Sequence, residues 1–231
     1  MIRFRLFGIP VSIHPSLWLT LAAVGLLSVS GVSLLPGVLL FAIAGFLCLF
    51  VHEMGHALIS RALGGGEPAV YLGWLGGGCS NERAVLTRWR GVAMTVAGPA
   101  ASLLLALLSY LLLSAYVHGF DHGAILSLNF LVGLMPSEYV SLYPSMGLAV
   151  FKFLIQISVW WSLLNLLPIF PLDGGLIMHG LMRSPHTMHL VSVTCAALCT
   201  TAFIAMSAWF LVLLMLCLGF LNFRCLRHSP Y

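Results

Sequence analysis

His52 and His56, four residues apart with Glu53 between them, are the residues of this 231-residue chain whose types and spacing could do chemistry. On an α-helix of 3.6 residues per turn both imidazoles project from one face, so they can close on a single ion. Glu53 is not required as a ligand and can take a proton from a water at an open metal position. This is the H-E-x-x-H arrangement of zinc hydrolases. A helical histidine pair can also be ordinary core packing. The setting favours the metal, because an ionisable side chain at membrane depth costs roughly 2.5–3.5 kcal/mol and three clustered ones call for a function or a partner.

Composition supplies that setting. The chain is 61% hydrophobic and 7% charged, against roughly 25% charged for a soluble domain, so we expect an integral membrane protein embedded in a lipid bilayer. Its acids are Glu53, Glu67, Glu82, Asp121, Glu138 and Asp173. The net charge of +4 comes from ten Lys and Arg placed almost wholly between or beside the apolar runs. That distribution fixes orientation in a bilayer and implies no nucleic-acid partner. Five of the six cysteines fall within or at the edge of apolar runs, with Cys79 in a polar loop, so no disulfide framework is expected. Cys195 and Cys199 share a helical face, where close helix packing is the simpler use than a soft metal.

The elements that must position the motif follow in order. Residues 1–15, with Arg3, Arg5, Gly8, Pro10 and Pro15, read as a short amphipathic lead-in without a cleavage site for a removable signal peptide. Residues 16–35 supply a first span and Pro36-Gly37 break it. Residues 37–63 form the second, with the motif in its second half, His52 lying about 22 Å along the helix from Gly37. With Arg3 and Arg5 held in the cytoplasm by the positive-inside bias, the motif lies in the membrane toward the cytoplasmic face.

Between residues 64 and 91 the helical pattern gives way to glycine triplets flanking an apolar run, then to Glu82, Arg83, Arg88 and Arg90. We expect a β-hairpin or re-entrant loop, which at membrane depth would wall an aqueous cleft and could offer an edge strand to an extended substrate. An ordinary cytoplasmic loop is the other reading. A third span at about 92–117 opens on Ala97-Gly98-Pro99-Ala100-Ala101-Ser102, small residues that allow close approach to the motif helix. His118, Asp121 and His122 lie beyond it, on the far side from the motif, and suit a solvated loop better than a metal. Residues 123–146 read as an interfacial segment or lid outside the bilayer, with a short membrane hairpin as the alternative.

A fourth span, about 147–167, leads into Asn165-Leu166-Leu167-Pro168-Ile169-Phe170-Pro171-Leu172-Asp173-Gly174-Gly175. It runs outside to inside like the second, which brings Asp173 to the depth of His52 and His56. A catalytic zinc commonly takes three protein ligands and a water. Asp173 is the best third. Pro168 and Pro171 would unwind the helix and Gly174-Gly175 would allow a tight turn; a helix cap or turn residue is the alternative role for Asp173. Residues 186–223 read as two short spans with a turn near Met206-Ser207, returning Arg224 and Arg227 to the cytoplasm. The expected fold is thus an all-α integral membrane protein. It has about six transmembrane helices, a short β-hairpin or re-entrant loop after the second, and a single domain over 1–231 with its catalytic core at about 37–182.

Taken together, His52-Glu53-Met54-Gly55-His56, Ala97-Gly98-Pro99 and the stretch from Asn165 to Gly175 resemble the site-2 protease family of intramembrane zinc metalloproteases in order and spacing, across about residues 13–182. The resemblance implies one zinc ion per chain held by His52, His56 and Asp173. It implies Glu53 as general base and Asn165 as a residue that helps hold substrate or intermediate. The implied reaction is hydrolysis of a peptide bond in or near a transmembrane segment of a membrane-protein substrate, in a multi-pass protein of the bacterial inner membrane. Ser102 departs from the pattern, since the family often has an Asn a few residues after the Gly-Pro pair. No separate soluble regulatory domain is expected within these residues. A metal transporter would want polar residues along a path through both leaflets, whereas here they cluster at one depth. A catalytically inactive scaffold would not need Glu53.

Overall fold

The computed structural model describes residues 1–29, 32–74, 76–80, 87–182, 184–206 and 208–228. The polar tract with Glu82 and Arg83 therefore lies outside the described residues, as does Ser207. The chain divides into two compact units, one of Met1–Val85 with Ala97–Ser162 and the other of Leu86–Val96 with Leu163–Tyr231. Each is described in turn.

The first unit begins with a sheet and not with an amphipathic lead-in. Strands β1 (Ile2–Leu6) and β2 (Ile9–Ile13) form a hairpin whose turn places Phe7 and Gly8 at positive φ. Along β2, Ile9, Val11 and Ile13 alternate inward with Pro10 and Ser12, the period-two pattern of a strand with one buried face. Two more strands, β3 (Ala69–Gly73) and β4 (Gly76–Ser80), make the hairpin expected after the motif helix. They join the first pair through a parallel β2–β3 ladder in which Ile13 lies opposite Leu72, giving the order β1-β2-β3-β4. An apolar core of Ile9, Val11, Ile13, Val70 and Leu72 with Leu17, Leu49, Met54 and Ala57 fastens this sheet to the helices.

Helix α1 (Ser16–Ser28) has only 13 residues, and α2 (Leu34–Ala62) starts before Pro36. Proline is tolerated in a first turn, where its missing N–H has no intrahelical partner, so Pro36 opens a helix here and ends none. Arg61, in the last turn of α2, donates to the Phe7 carbonyl at 2.6 Å and so ties the helix to the β1–β2 turn.

Helix α3 (Arg88–Tyr116) runs through Pro99, and α4 (Phe120–Leu131), α5 (Ser137–Leu142) and α6 (Ser145–Asn165) follow. Residues 123–146, expected as an interfacial segment or lid, pack along their neighbours. Leu126 and Phe130 of α4 are fully buried against Leu113, Val117, Leu148 and Ile155. Trp160 and Lys152 of α6 donate to the carbonyls of Leu131 and Gly133, both at 2.8 Å, taking up groups that the end of α4 leaves unbonded. Lys152 is thus a basic residue inside an apolar helix, an exception to the distribution read from the sequence.

The second unit contains α7 (Asp173–Leu181), α8 (Pro185–Ala205) and α9 (Trp209–His228), with α8 and α9 packed on each other. The break between these two falls where two short spans were expected to turn. Among the described residues four helices, α2, α3, α6 and α8, are long and apolar enough to cross a membrane. The protein is mostly helical, and a small four-stranded sheet takes the place of the single hairpin in the expected all-α fold.

Candidate metal centre

Helix α2 delivers the motif as its spacing requires. His52, Glu53 and His56 are all buried, at 2%, 5% and 6% exposure, within a largely apolar helix. The imidazole rings stand edge to face at 82°, and their Nε2 atoms face each other at 3.2 Å. Tetrahedral zinc with Zn–N bonds near 2.05 Å would place two nitrogens about 3.3 Å apart. The pair therefore fits a shared divalent metal.

His52 is oriented from behind. Its Nδ1 lies 3.1 Å from Ser102 Oγ, a fully buried hydroxyl on α3. An Nδ1–H donated to that oxygen leaves the Nε2 lone pair for the ion, the usual arrangement behind a metal-bound histidine. Ser102, which the sequence marks as a small residue and a departure from the family pattern, is thus the partner that sets the ring. Trp161 of α6 presents its ring at 78° to His52 with centroids 6.3 Å apart. Ser162, next to it, donates to the Pro99 carbonyl at 3.3 Å and ties α6 to α3 beside the pair.

Two glycines make room. A Cβ on Gly98 of α3 would fall on the His56 imidazole, and one on Gly77 of β4 would fall on the side chain of Glu53. The small residues after Ala97 do bring α3 against the motif helix, as expected. Strand β4 lies directly on the Glu53 carboxylate, so the hairpin walls the motif and is no detached loop.

In the second unit, Asn165 is the last residue of α6 and Asp173 the first of α7; both are buried. Gly174 was expected to make a tight turn. It lies instead in the first turn of α7, where a Cβ would collide with the carbonyls of Leu166 and Leu167. The other candidates do not gather into a centre among the described residues. Asp121 sits in the first turn of α4, and His122 meets the Tyr139 ring edge-on at 6.0 Å. Cys195 and Cys199 have sulfurs 4.0 Å apart beside an apolar cluster, and no disulfide joins the described cysteines.

The model of Peptidase family M50 matches residues 40–223. The chain belongs to peptidase family M50. It is 29% identical to the provisionally named zinc metalloprotease sll0528 of Synechocystis, over 77% of this chain and 42% of that protein. It thus spans less than half the length of that curated relative. Its structure is similar to that of the site-2 protease from Methanocaldococcus jannaschii, with a TM-score of 0.59 and 20% identity, covering 100% of this chain and 97% of that one. That likeness shows a shared fold and agrees with the site-2 protease resemblance carried by the paired motifs.

Proposed function

We propose that this protein is an integral-membrane zinc endopeptidase that hydrolyses a peptide bond in or near a transmembrane segment of a membrane-protein substrate. One observation carries the reading: two buried imidazoles offer Nε2 atoms 3.2 Å apart, with a buried carboxylate next to them on the same helix. Membership of a peptidase family supports it. His52 and His56 hold the zinc, and Asp173 supplies the third ligand. Asp173 is favoured by its burial, its place at the start of α7 and the Pro-Leu-Asp-Gly-Gly stretch around it.

When bound, zinc supplies a Lewis acid that acidifies water toward neutral pH and polarises a carbonyl. Glu53 takes the proton from the attacking water and passes it to the leaving amine. Ser102 keeps the His52 ring in place meanwhile. Strand β4 is an edge of the sheet and lies on Glu53, so a substrate unwound into an extended form can add its backbone to that edge. Unwinding is needed because helical carbonyls are engaged in their own i to i−4 bonds. Asn165 helps hold the substrate. The site faces the cytoplasmic side of a bacterial inner membrane, with Arg3 and Arg5 at that face.

The test is bound zinc per chain in detergent-purified protein, wild type beside His56→Ala and Asp173→Ala, after removal of loosely held metal. The expected result is close to one zinc in wild type and a marked loss in both variants. Zinc unchanged by Asp173→Ala would place the third ligand elsewhere, and no zinc in folded wild type would remove the peptidase reading.

A further inference from the structure

Within the second unit, the loop that precedes Asp173 is gripped by the two helices that follow it. The Phe170 backbone N–H donates to Ser192 Oγ on α8 at 3.1 Å, and the Phe170 carbonyl accepts from Asn222 Nδ2 on α9 at 2.5 Å. Both polar groups of one non-helical residue are thus taken by side chains from two different helices. The amide of Asn222 is itself fixed. Its Oδ1 lies 2.9 Å from His189 Nδ1 on α8, and its Nδ2 also donates to the Leu218 carbonyl at 2.9 Å. His189 further meets the Phe170 ring edge-on, with centroids 5.8 Å apart. Ser192, Asn222 and His189 are 0%, 1% and 9% exposed.

Buried backbone groups outside a helix must find partners, and in an apolar surrounding few are available. The loop could have met this need locally. Drawing on α8 and α9 instead sets its position against the rest of the unit. Little slack separates Phe170 from Asp173: Pro171 has its φ fixed by its ring, and the Leu172 N–H donates to the Ile169 carbonyl at 2.8 Å. At the other end of α7, the Arg88 guanidinium donates to the carbonyls of Gly180 and Leu181. Asp173 therefore opens a helix anchored at both ends.

We propose that Ser192, Asn222 and His189 form a positioning bracket that acts through the Phe170 peptide to hold the Asp173 carboxylate where a metal can use it. The proposal rests on Asp173 being a zinc ligand. A site of this kind tolerates only about 0.5 Å of misplacement, and losing the groups that orient a ligand typically weakens metal binding 10–100-fold. The bracket lies outside the H-E-x-x-H helix and beyond the Asp-Gly-Gly stretch, so it assigns a metal-site role to helices α8 and α9.

The experiment measures the zinc dissociation constant of the full chain in detergent by competition with a chelating dye. Ser192→Ala, Ser192→Thr and Asn222→Ala are compared with wild type, and Asn222→Ala is repeated with Asp173→Ala already present. Ser192→Ala and Asn222→Ala should each weaken zinc about 10–100-fold, and Ser192→Thr, which keeps the hydroxyl, should recover most of the loss. With Asp173 gone, Asn222→Ala should cause no further loss, because the bracket then has no ligand to place. Zinc binding within about twofold of wild type in both alanine variants would overturn the bracket, as would an undiminished Asn222→Ala effect on the Asp173→Ala background. If Asp173→Ala alone leaves zinc binding intact, the ligand assignment fails first and the bracket with it; loss in Asp173→Ala without loss in the bracket variants sinks the bracket alone.

Discussion

Gly98 on α3 faces the His56 ring so closely that no side chain fits between them. In an exposed helix, Gly→Ala would be expected to stabilise by roughly 0.5–1 kcal/mol. Here the added methyl has to displace the imidazole proposed to bind zinc. Gly98→Ala is expected to weaken zinc binding at least about tenfold, of the order seen when a ligand's orientation is disturbed. Gly91→Ala on the same helix, where a Cβ meets nothing within 4 Å, should leave zinc unchanged. Dye-competition titration of the two variants checks the contrast.

Gly77 stands in the same relation to Glu53. A methyl there presses on the carboxylate and not on the imidazoles, so Gly77→Ala should retain zinc and cut turnover by at least about tenfold, within the range attributed to a positioned base. Gly78→Ala, with open space at its Cβ, is the matched control. Hydrolysis of a labelled transmembrane peptide in micelles, read beside zinc content, separates the two effects; equal turnover in both variants would remove β4 from the wall of the site.

Glu53→Gln keeps the shape of the side chain and removes its ability to accept a proton. Zinc content should stay near wild type while cleavage falls about 10²–10⁴-fold. Retained cleavage in a purified preparation would refute Glu53 as the base.

Ser102→Ala removes the partner of His52 Nδ1 and leaves the ligand set complete. Zinc affinity should drop about 10–100-fold, with Ser102→Thr close to wild type. Equal zinc dissociation constants for Ser102→Ala and Ser102→Thr would mean that the hydroxyl does not set the ring.

The legible part of this protein was its helical chemistry. His52, Glu53 and His56 announce themselves because four-residue spacing maps directly onto one helix face, and the break between α8 and α9 fell near Met206 as span length required. The sheet was harder to see. In β2, Ile9, Val11 and Ile13 alternate with Pro10 and Ser12 over only five residues, a pattern that becomes plain only when Val70 and Leu72 are set beside it. Strand β4, reading Gly-Gly-Gly-Cys-Ser, has almost no β preference of its own and is extended because β3 pairs with it. Pro36 reads from the sequence as the end of one helix, yet it sits in the first turn of the next. Lys152, His189 and Asn222 did carry a signal, since each is a polar residue within an apolar run, but only the folded chain shows which carbonyl each one serves.

The parallel pairing of β2 with β3 has a consequence for the order in which the molecule is built. The two strands flank α1 and α2 in sequence, so the ladder from Val11–Val70 to Ile13–Leu72 closes only after both helices have been synthesised. The β1–β2 hairpin can form early and wait, because its contacts are local. The histidine pair is therefore in place on α2 before the strand that covers Glu53 exists. Asp173, the proposed third ligand, follows later still at the start of α7, so the proposed site is completed from its histidine pair outward and only after the strand beside Glu53 has been made.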